Sequence, residues 1–347
     1  MAAVIFAAMT TVVPAAAQAP ADFYKGKNLN LVVGYGAGGG YDMYARVLSR
    51  HMGRHMPGEP TVVVQNMPGA GSLRAANFVH AVAPKDGLTI GAVDRQMALS
   101  AVLGTTANMQ FKADEIAWIG TLSSYENDAF ILWGRKDAKA KTLEDLKRPG
   151  GPTLAVGGAA VGSSDDTVVL VLRDVLKLNV RLVTGYPDGN AIALAVERGE
   201  LDARTSGFSS IASTRPHWLK PDGPMTPLLA VGRTTRLPQF PDTPIARELA
   251  PDERARLIVS LVESPYRLAR PYIAPAGLPA DRLATLQKAF LETARDPEFV
   301  KEAQKLDLDV SPLGGDEIKA LVKEIAAAPP DTLAYLRGLL TGDAGAK

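Results

Sequence analysis

The chain has 347 residues, 46% of them hydrophobic and 22% charged, with 32 glycines and 25 prolines, a composition that fits two domains of ordinary size and excludes disorder and collagen-like repeats. Thirty-eight basic residues against 37 acidic ones leave a net charge of +1, so no basic field is available to hold nucleic acid and any substrate attraction is local. With no cysteine, the chain has no disulfide framework, lipoprotein anchor, thiolate nucleophile or sulfur metal site.

Met1 to Ala19 carries no charged side chain, is apolar from Ala2 to Val13, and ends in Ala17-Gln18-Ala19, the small-residue pattern of a signal peptidase site. The run is shorter than the roughly 20 apolar residues that span a bilayer. Residues 1–19 are therefore read as a secretory signal peptide, and the exported chain is expected in the periplasm.

From Leu29 a short apolar run leads into a glycine loop, followed by a helix from Asp42 to about Met56 with Tyr44, Val47, Leu48 and Met52 on one face. Strand Thr61 to Gln65, loop Asn66 to Ser72, helix Leu73 to Val82, turn Pro84 to Gly87 and strand Leu88 to Val93 complete a βαβαβ unit. Its strand C-termini share the sheet edge where open α/β sheets bind ligands. Trp118 to Leu122 and Ala129 to Trp133 read as strands, and Thr142 with Asp145 as a capping box. The plan then repeats: strand Thr153 to Val156, loop Gly157 to Ser164, helix Asp165 to Leu176, strand Arg181 to Thr184, loop Gly185 to Asn190, helix Ala191 to Arg198, and a strand near Ala203. Beyond Leu228 to Val231 the chain is proline-rich through Pro244, which marks a crossing. A strand within Arg267 to Ile273 and helices Asp281 to Thr293, Asp316 to Ala327 and Asp331 to Leu340 are expected to return to the first lobe. The fold class is α/β, with two lobes of mainly parallel sheet flanked by helices. Residues 20–123 and 233–347 form lobe 1, and 124–232 form lobe 2.

Gly34, Gly36 and Gly39 spell G-x-G-x-x-G between a strand and a helix, the setting of a dinucleotide site. The acid that would hold the ribose belongs at the end of the second strand, where Gln65 and Asn66 stand. Bare amides at a helix N-terminus equally seat a small anion, with about half a positive charge behind them. A small carboxylate is preferred to a dinucleotide for this loop. Gly157 to Ser164 offers a second helix N-terminus, with Ser163 and Ser164 as donors to a ligand or as helix caps. Asp42 either complements its own helix or meets a cationic part of the ligand or a water; Asp165 and Asp166 carry the same two readings. Tyr35 and Tyr41 wall the pocket or cover the sheet edge. Arg95, just past the third strand, is the candidate cation of the ligand edge or else a solvated surface arginine. His51 and His55 are read as surface histidines at a helix end, since no third metal ligand is near them in sequence. No G-x-S-x-G elbow or His-Glu-x-x-His occurs, so no catalysis, cofactor or metal is expected.

The succession VVGYGAGGGYDMYARVL, VVVQNMPGAGSLRAANF and APKDGLTIG resembles the substrate-binding proteins of tripartite tricarboxylate transporters, the Bug or TctC family, from about Phe23 to the C-terminal helices. The resemblance implies a monomeric type II periplasmic flytrap that delivers a small carboxylate ligand to the large and small membrane subunits of the transporter. Carried onto this chain, the ligand loops are Tyr35, Gly36, Ala37, Gly38, Gly39, Gly40, Tyr41 and Asp42 in lobe 1. In lobe 2 they are Gly157 to Asp165, including Ala159, Gly162, Ser163 and Ser164. Tyr186, Asp188 and Gly189 of the stretch up to Asn190, and Ser206 to Phe208, are further lining. Where the family usually carries Ser, Gly, Asn, Gly, Thr and then His, this chain has Ala159, Ala160, Val161, Gly162, Ser163 and then Asp166. That exchanges polar contacts for methyl groups and an acid. Alternatives from other classes are an NAD-dependent oxidoreductase using the glycine loop and a binding protein that signals to a sensor kinase.

Overall fold

A computed structural model describes residues 23–106 and 108–342; the signal peptide expected at Met1 to Ala19 lies outside the described residues. The chain runs β1 (Asn28–Val33), α1 (Gly40–His51), β2 (Thr61–Asn66), α2 (Leu73–Asn77), β3 (Thr89–Ala92), α3 (Met97–Leu103) and β4 (Ala117–Thr121). It continues through β5 (Phe130–Arg135), α4 (Leu143–Lys147), β6 (Leu154–Gly157), α5 (Ser164–Asp174), β7 (Val180–Val183), α6 (Gly189–Glu197), β8 (Ala203–Gly207), α7 (Phe208–Thr214) and β9 (Met225–Val231). It closes with α8 (Glu253–Glu263), β10 (Pro271–Ala274), α9 (Ala280–Arg295), α10 (Pro297–Lys305), β11 (Leu313–Gly314), α11 (Gly315–Ala326) and α12 (Pro330–Thr341).

These strands make two sheets, ordered β11-β4-β10-β3-β1-β2 and β7-β6-β8-β5-β9. The expectation of mainly parallel sheets holds for one half of each. β1, β2 and β3 pair in parallel, as do β6, β7 and β8, while β4, β10 and β11 on one sheet and β5 and β9 on the other run antiparallel to their neighbours. The connections differ accordingly: β4 to β5, and β9 back to β10, are passages between sheets, not helical crossovers within one.

Both faces of each sheet are covered. Leu29, Leu31 and Val33 of β1 point into one cluster with Tyr44, Leu48, Phe290 and Phe299, while Val32 enters another with Val79 and Leu99. In β5, Phe130 and Leu132 alternate in the same way with Ile131 and Trp133, the period of two that a buried strand requires. The expected capping box forms, with Thr142 Oγ1 accepting from the Asp145 amide at 3.1 Å and Asp145 accepting from the Thr142 amide at 3.1 Å. The stretch after β9 stays with the second sheet: Ile245 bridges Ala230, and α8 packs Val259 and Val262 against Val168 and Leu172. The chain rejoins the first sheet at β10, beside β3. Among the described residues no helix is long and apolar enough to cross a membrane.

Candidate functional site

A cleft enclosing about 630 Å³ of space, its open mouth included, lies where strand ends of the two sheets face each other. One wall is the glycine loop after β1. Gly36, Gly38, Gly39, Gly40, Tyr35 and Tyr41 line it. The loop comes close to the facing side chains here: a Cβ on Gly36 would stand 2.0 Å from Asp188 Oδ2, and one on Gly40 2.3 Å from Ser210 Oγ, so either would have to move aside. Ala37 is exposed and turned away from the cleft.

Asp42 does not reach the cleft. Its buried carboxylate accepts from the Gly38 amide (2.9 Å), Arg46 Nε (2.8 Å) and Asn66 Nδ2 (2.9 Å). Burial, the largest single influence, pushes its pKa up, but these donors together hold it below the ordinary carboxylate value. Of its two sequence readings the helix complement agrees with its place in the first turn of α1, and Asp42 also fastens the loop to the end of β2, where Asn66 completes the brace by donating to the Tyr35 carbonyl at 2.9 Å.

The rings of Tyr35 and Tyr41 stack with centroids 4.8 Å apart. Both phenols donate to Asp94 Oδ2, at 2.6 and 3.3 Å. Burial raises both pKa values, Tyr35 with help from Asp94 and Tyr41 to about 12, so both remain neutral donors at physiological pH.

Behind the loop sit the cations. Arg95 is 2% exposed and lines the cleft, so it is no surface arginine. It donates to Tyr125 Oη (2.6 Å) and Tyr41 Oη (3.3 Å), and the rings of Tyr125, Phe130 and Tyr266 each lie about 5 Å from its guanidinium carbon. Arg270, also 2% exposed, precedes β10 and donates to the Ala269 carbonyl and Ser210 Oγ, each at 2.8 Å. Its Nε has no partner, and the Tyr41 and Tyr44 rings flank it at 4.9 and 4.7 Å. Arg204 of β8 donates to the carbonyls of Thr205 and Gly189. Among the described residues none of these three guanidinium groups has a carboxylate within 4.0 Å, whereas Arg215 at the same cleft pairs with Glu197 at 3.0 Å. A buried guanidinium stays charged, and one without a counter-charge is costly unless an anion arrives.

The opposite wall comes from the second sheet: Ser164 and Asp165 at the start of α5, Asp188, Gly189 and Asn190 at the start of α6, and Ser206, Gly207 and Ser210 around β8 and α7. Ser164 Oγ donates across the interface to Asp94 Oδ2 at 3.0 Å. Asp188 caps α6 by accepting from the Ala191 amide at 2.9 Å. The rest of the expected second loop is turned elsewhere. Ser163 is fully buried and caps α5, the Gly162 carbonyl accepts from Ser100 Oγ of α3 at 3.1 Å, and Ala159 does not line the cleft. Tyr186 and Phe208 pack into the apolar cluster beneath the second sheet, Phe208 edge-on to Phe240.

Residues 44–328 match the family described as "Tripartite tricarboxylate transporter family receptor", TctC. The chain belongs to this family. Among curated relatives of this TctC-family chain, a UPF0065 protein of Bordetella pertussis strain Tohama I is 26% identical over 293 residues, covering 83% of the chain and 82% of the relative. Among solved structures, the periplasmic binding protein BugD aligns with a TM-score of 0.69 at 19% identity, over 91% of this chain and 98% of that one. MatC from Rhodopseudomonas palustris with bound malate aligns with a TM-score of 0.67 at 20% identity, over 91% and 99%. At these identities the structural likeness bears on the fold, the two-lobed α/β architecture.

Arg204, Ser210, Thr214, Arg215, Phe130, Ala193 and Arg270 line the cleft of this TctC-family chain without having been expected from the sequence. Arg204 carried a readable signal: a charged residue inside a strand that ends on the ligand edge. Arg270 did not, because its place depends on β10 inserting antiparallel between β3 and β4, with Tyr272 opposite Ala92. His51 and His55 each face a carboxylate of the α10 region, Glu302 at 2.5 Å and Asp296 at 2.7 Å.

Proposed function

We propose that this chain is a non-catalytic periplasmic solute-binding protein that captures a small organic carboxylate between its two lobes. It then presents the ligand to the membrane subunits of a tripartite tricarboxylate-type transporter. The observation that carries this reading is the pair Arg95 and Arg270, buried, lining the cleft and, among the described residues, without a carboxylate within 4.0 Å. An entering carboxylate supplies the missing counter-charge, and charged hydrogen bonds of this kind are the strong ones. The hydroxyl of Ser210, which accepts from Arg270 and keeps its own proton to give, and the helix N-termini of α1 and α6 add to it. The malate held by MatC makes a dicarboxylate the first ligand to test.

In this reading the protein is an exported monomer. Residues 1–19 are the leader, 20–123 and the chain from β10 onward belong to lobe 1, and 124–232 together with the stretch through α8 belong to lobe 2, so the boundary expected at 233 moves to the approach to β10. Closure turns on the crossing near Ser124 and on the return beside it just before β10, where the Ala269 amide donates to the Ser123 carbonyl at 2.9 Å. Arg233 braces the first of these crossings, its Nη1 donating to the carbonyls of Tyr125, Glu126 and Asp128 at 3.3, 3.2 and 2.8 Å. A dinucleotide is disfavoured because the Gly38 amide is spent on Asp42 and Asn66 stands, hydrogen-bonded inward, where a ribose-binding acid would be.

The test is a thermal-shift panel of mono-, di-, tri- and aromatic carboxylates on the processed protein. A true ligand at 100 times its Kd adds about 2.7 kcal/mol of stability, several degrees in Tm. A panel without any response contradicts the reading.

A further inference from the structure

One acid in the cleft has no role in holding an anion. Asp165, in the first turn of α5, is 7% exposed and lines the same cleft as Arg95 and Arg270. Thr205 Oγ1 donates to its Oδ1 at 3.1 Å; among the described residues its other oxygen has no donor, and no cation lies within 4.0 Å. The groups that face it are Asp94 from the turn after β3, Asp166 from its own helix, Arg204 from β8, and the phenols of Tyr35 and Tyr266.

The three neighbouring acids are not equally supported. Asp94 accepts from Tyr35, Tyr41, Ser164 and the Gln96 amide. Asp166 accepts from Thr184 Oγ1 at 2.6 Å and Ser163 Oγ at 3.2 Å. Asp165 has one donor and two acids beside it. Adding a ligand carboxylate to this pocket sets another negative charge against the acid least able to remain ionised.

We propose that Asp165 is the proton acceptor of the cleft: as the carboxylate enters, Asp165 takes one proton from solvent, and its new O–H donates to a ligand carboxylate oxygen. This rests on the carboxylate reading of the cleft. Burial, with Asp94 and Asp166 adding to it, already raises its pKa to about 6, so protonation near neutral pH is easily reached and a bound anion drives it further. The sign follows from linkage. The liganded state holds more protons than the free one, so affinity rises as pH falls. The rise is about tenfold per pH unit above about pH 6 and levels off below it.

The experiment is calorimetric titration of the processed protein with malate, succinate and citrate between pH 6.0 and 8.5, in buffers of differing ionisation enthalpy. Wild type is expected to bind about tenfold more tightly at pH 6.5 than at 7.5, with uptake of about one proton per ligand read from the buffer dependence. Asp165→Asn, which keeps the shape of the protonated acid, is expected to bind more tightly than wild type at pH 7.5, with no pH slope and no buffer dependence. A flat wild-type profile overturns the proposal even if the variant fails to fold. A slope that survives in Asp165→Asn also overturns it. If none of the three acids and no other carboxylate of the thermal-shift panel binds at any pH, the carboxylate reading falls and this inference with it; binding without pH dependence removes only the role of Asp165.

Discussion

Tyr35–Asp42 and Gly157–Asp165 each follow a parallel strand, are rich in small residues and lead into a helix, of twelve residues in the first case and eleven in the second. Only the first runs along the cleft. Its brace lies behind it, in Asp42, Arg46 and Asn66, which leaves its glycines free to meet Asp188 and Ser210 of the other lobe. The second spends its polar groups away from the cleft: Ser163 on its own helix, Gly162 on Ser100 across the seam between the sheets. Only Ser164 and Asp165 line the cleft, and the Ser164 hydroxyl is itself given to Asp94. The partner of the glycine loop is instead the start of α6 together with Ser206, Gly207 and Ser210. A strand, a glycine turn and a helix N-terminus therefore make a loop able to hold an anion, but what the neighbouring layer demands of its donors decides whether it does.

That contrast can be broken most forcefully at the cations behind the first loop. Arg95→Met and Arg270→Met are each expected to weaken binding of the preferred carboxylate about 30- to 1,000-fold, the equivalent of about 2 to 4 kcal/mol. The ligand-free Tm should stay level or rise, because a buried charge without a partner has been replaced by an apolar side chain. Calorimetry and a melting curve on the same samples check both halves. Binding that survives either substitution would return the site to the loops alone.

A smaller effect sharpens the difference between the loops themselves. Gly36→Ala sets a methyl against Asp188 where the lobes meet and is expected to weaken binding about tenfold with little change in ligand-free Tm. Gly162→Ala acts the other way. Its φ of +83° resists a side chain and costs about 1 kcal/mol of stability, while Kd moves less than threefold. Equal losses of affinity in the two variants would restore the symmetry that the two sequences suggest.

Much of this was legible beforehand because periodicity survives burial. The alternation in β1 and β5, the Thr142 capping box and the C-terminal helices all come from local pattern. α8 does not stand out in the sequence although Ala255, Ile258, Val259 and Val262 carry a helical spacing, since the prolines before it read as a crossing. α7, with the sequence FSSIAST, has little helix propensity, and its contacts with the second sheet override that preference. At the site, Arg95 and the glycines followed from strand ends. The role of Asp42 did not, because Asn66, 24 residues away, is what turns its carboxylate inward. Arg270 was hidden by an antiparallel insertion that local pattern cannot specify.

The most direct test of the central claim is native mass spectrometry of the processed protein taken from the periplasm, with the released ligand identified by fragmentation. The account predicts one equivalent of a small organic acid bearing at least one carboxylate; a dinucleotide or an uncharged solute in its place would contradict it.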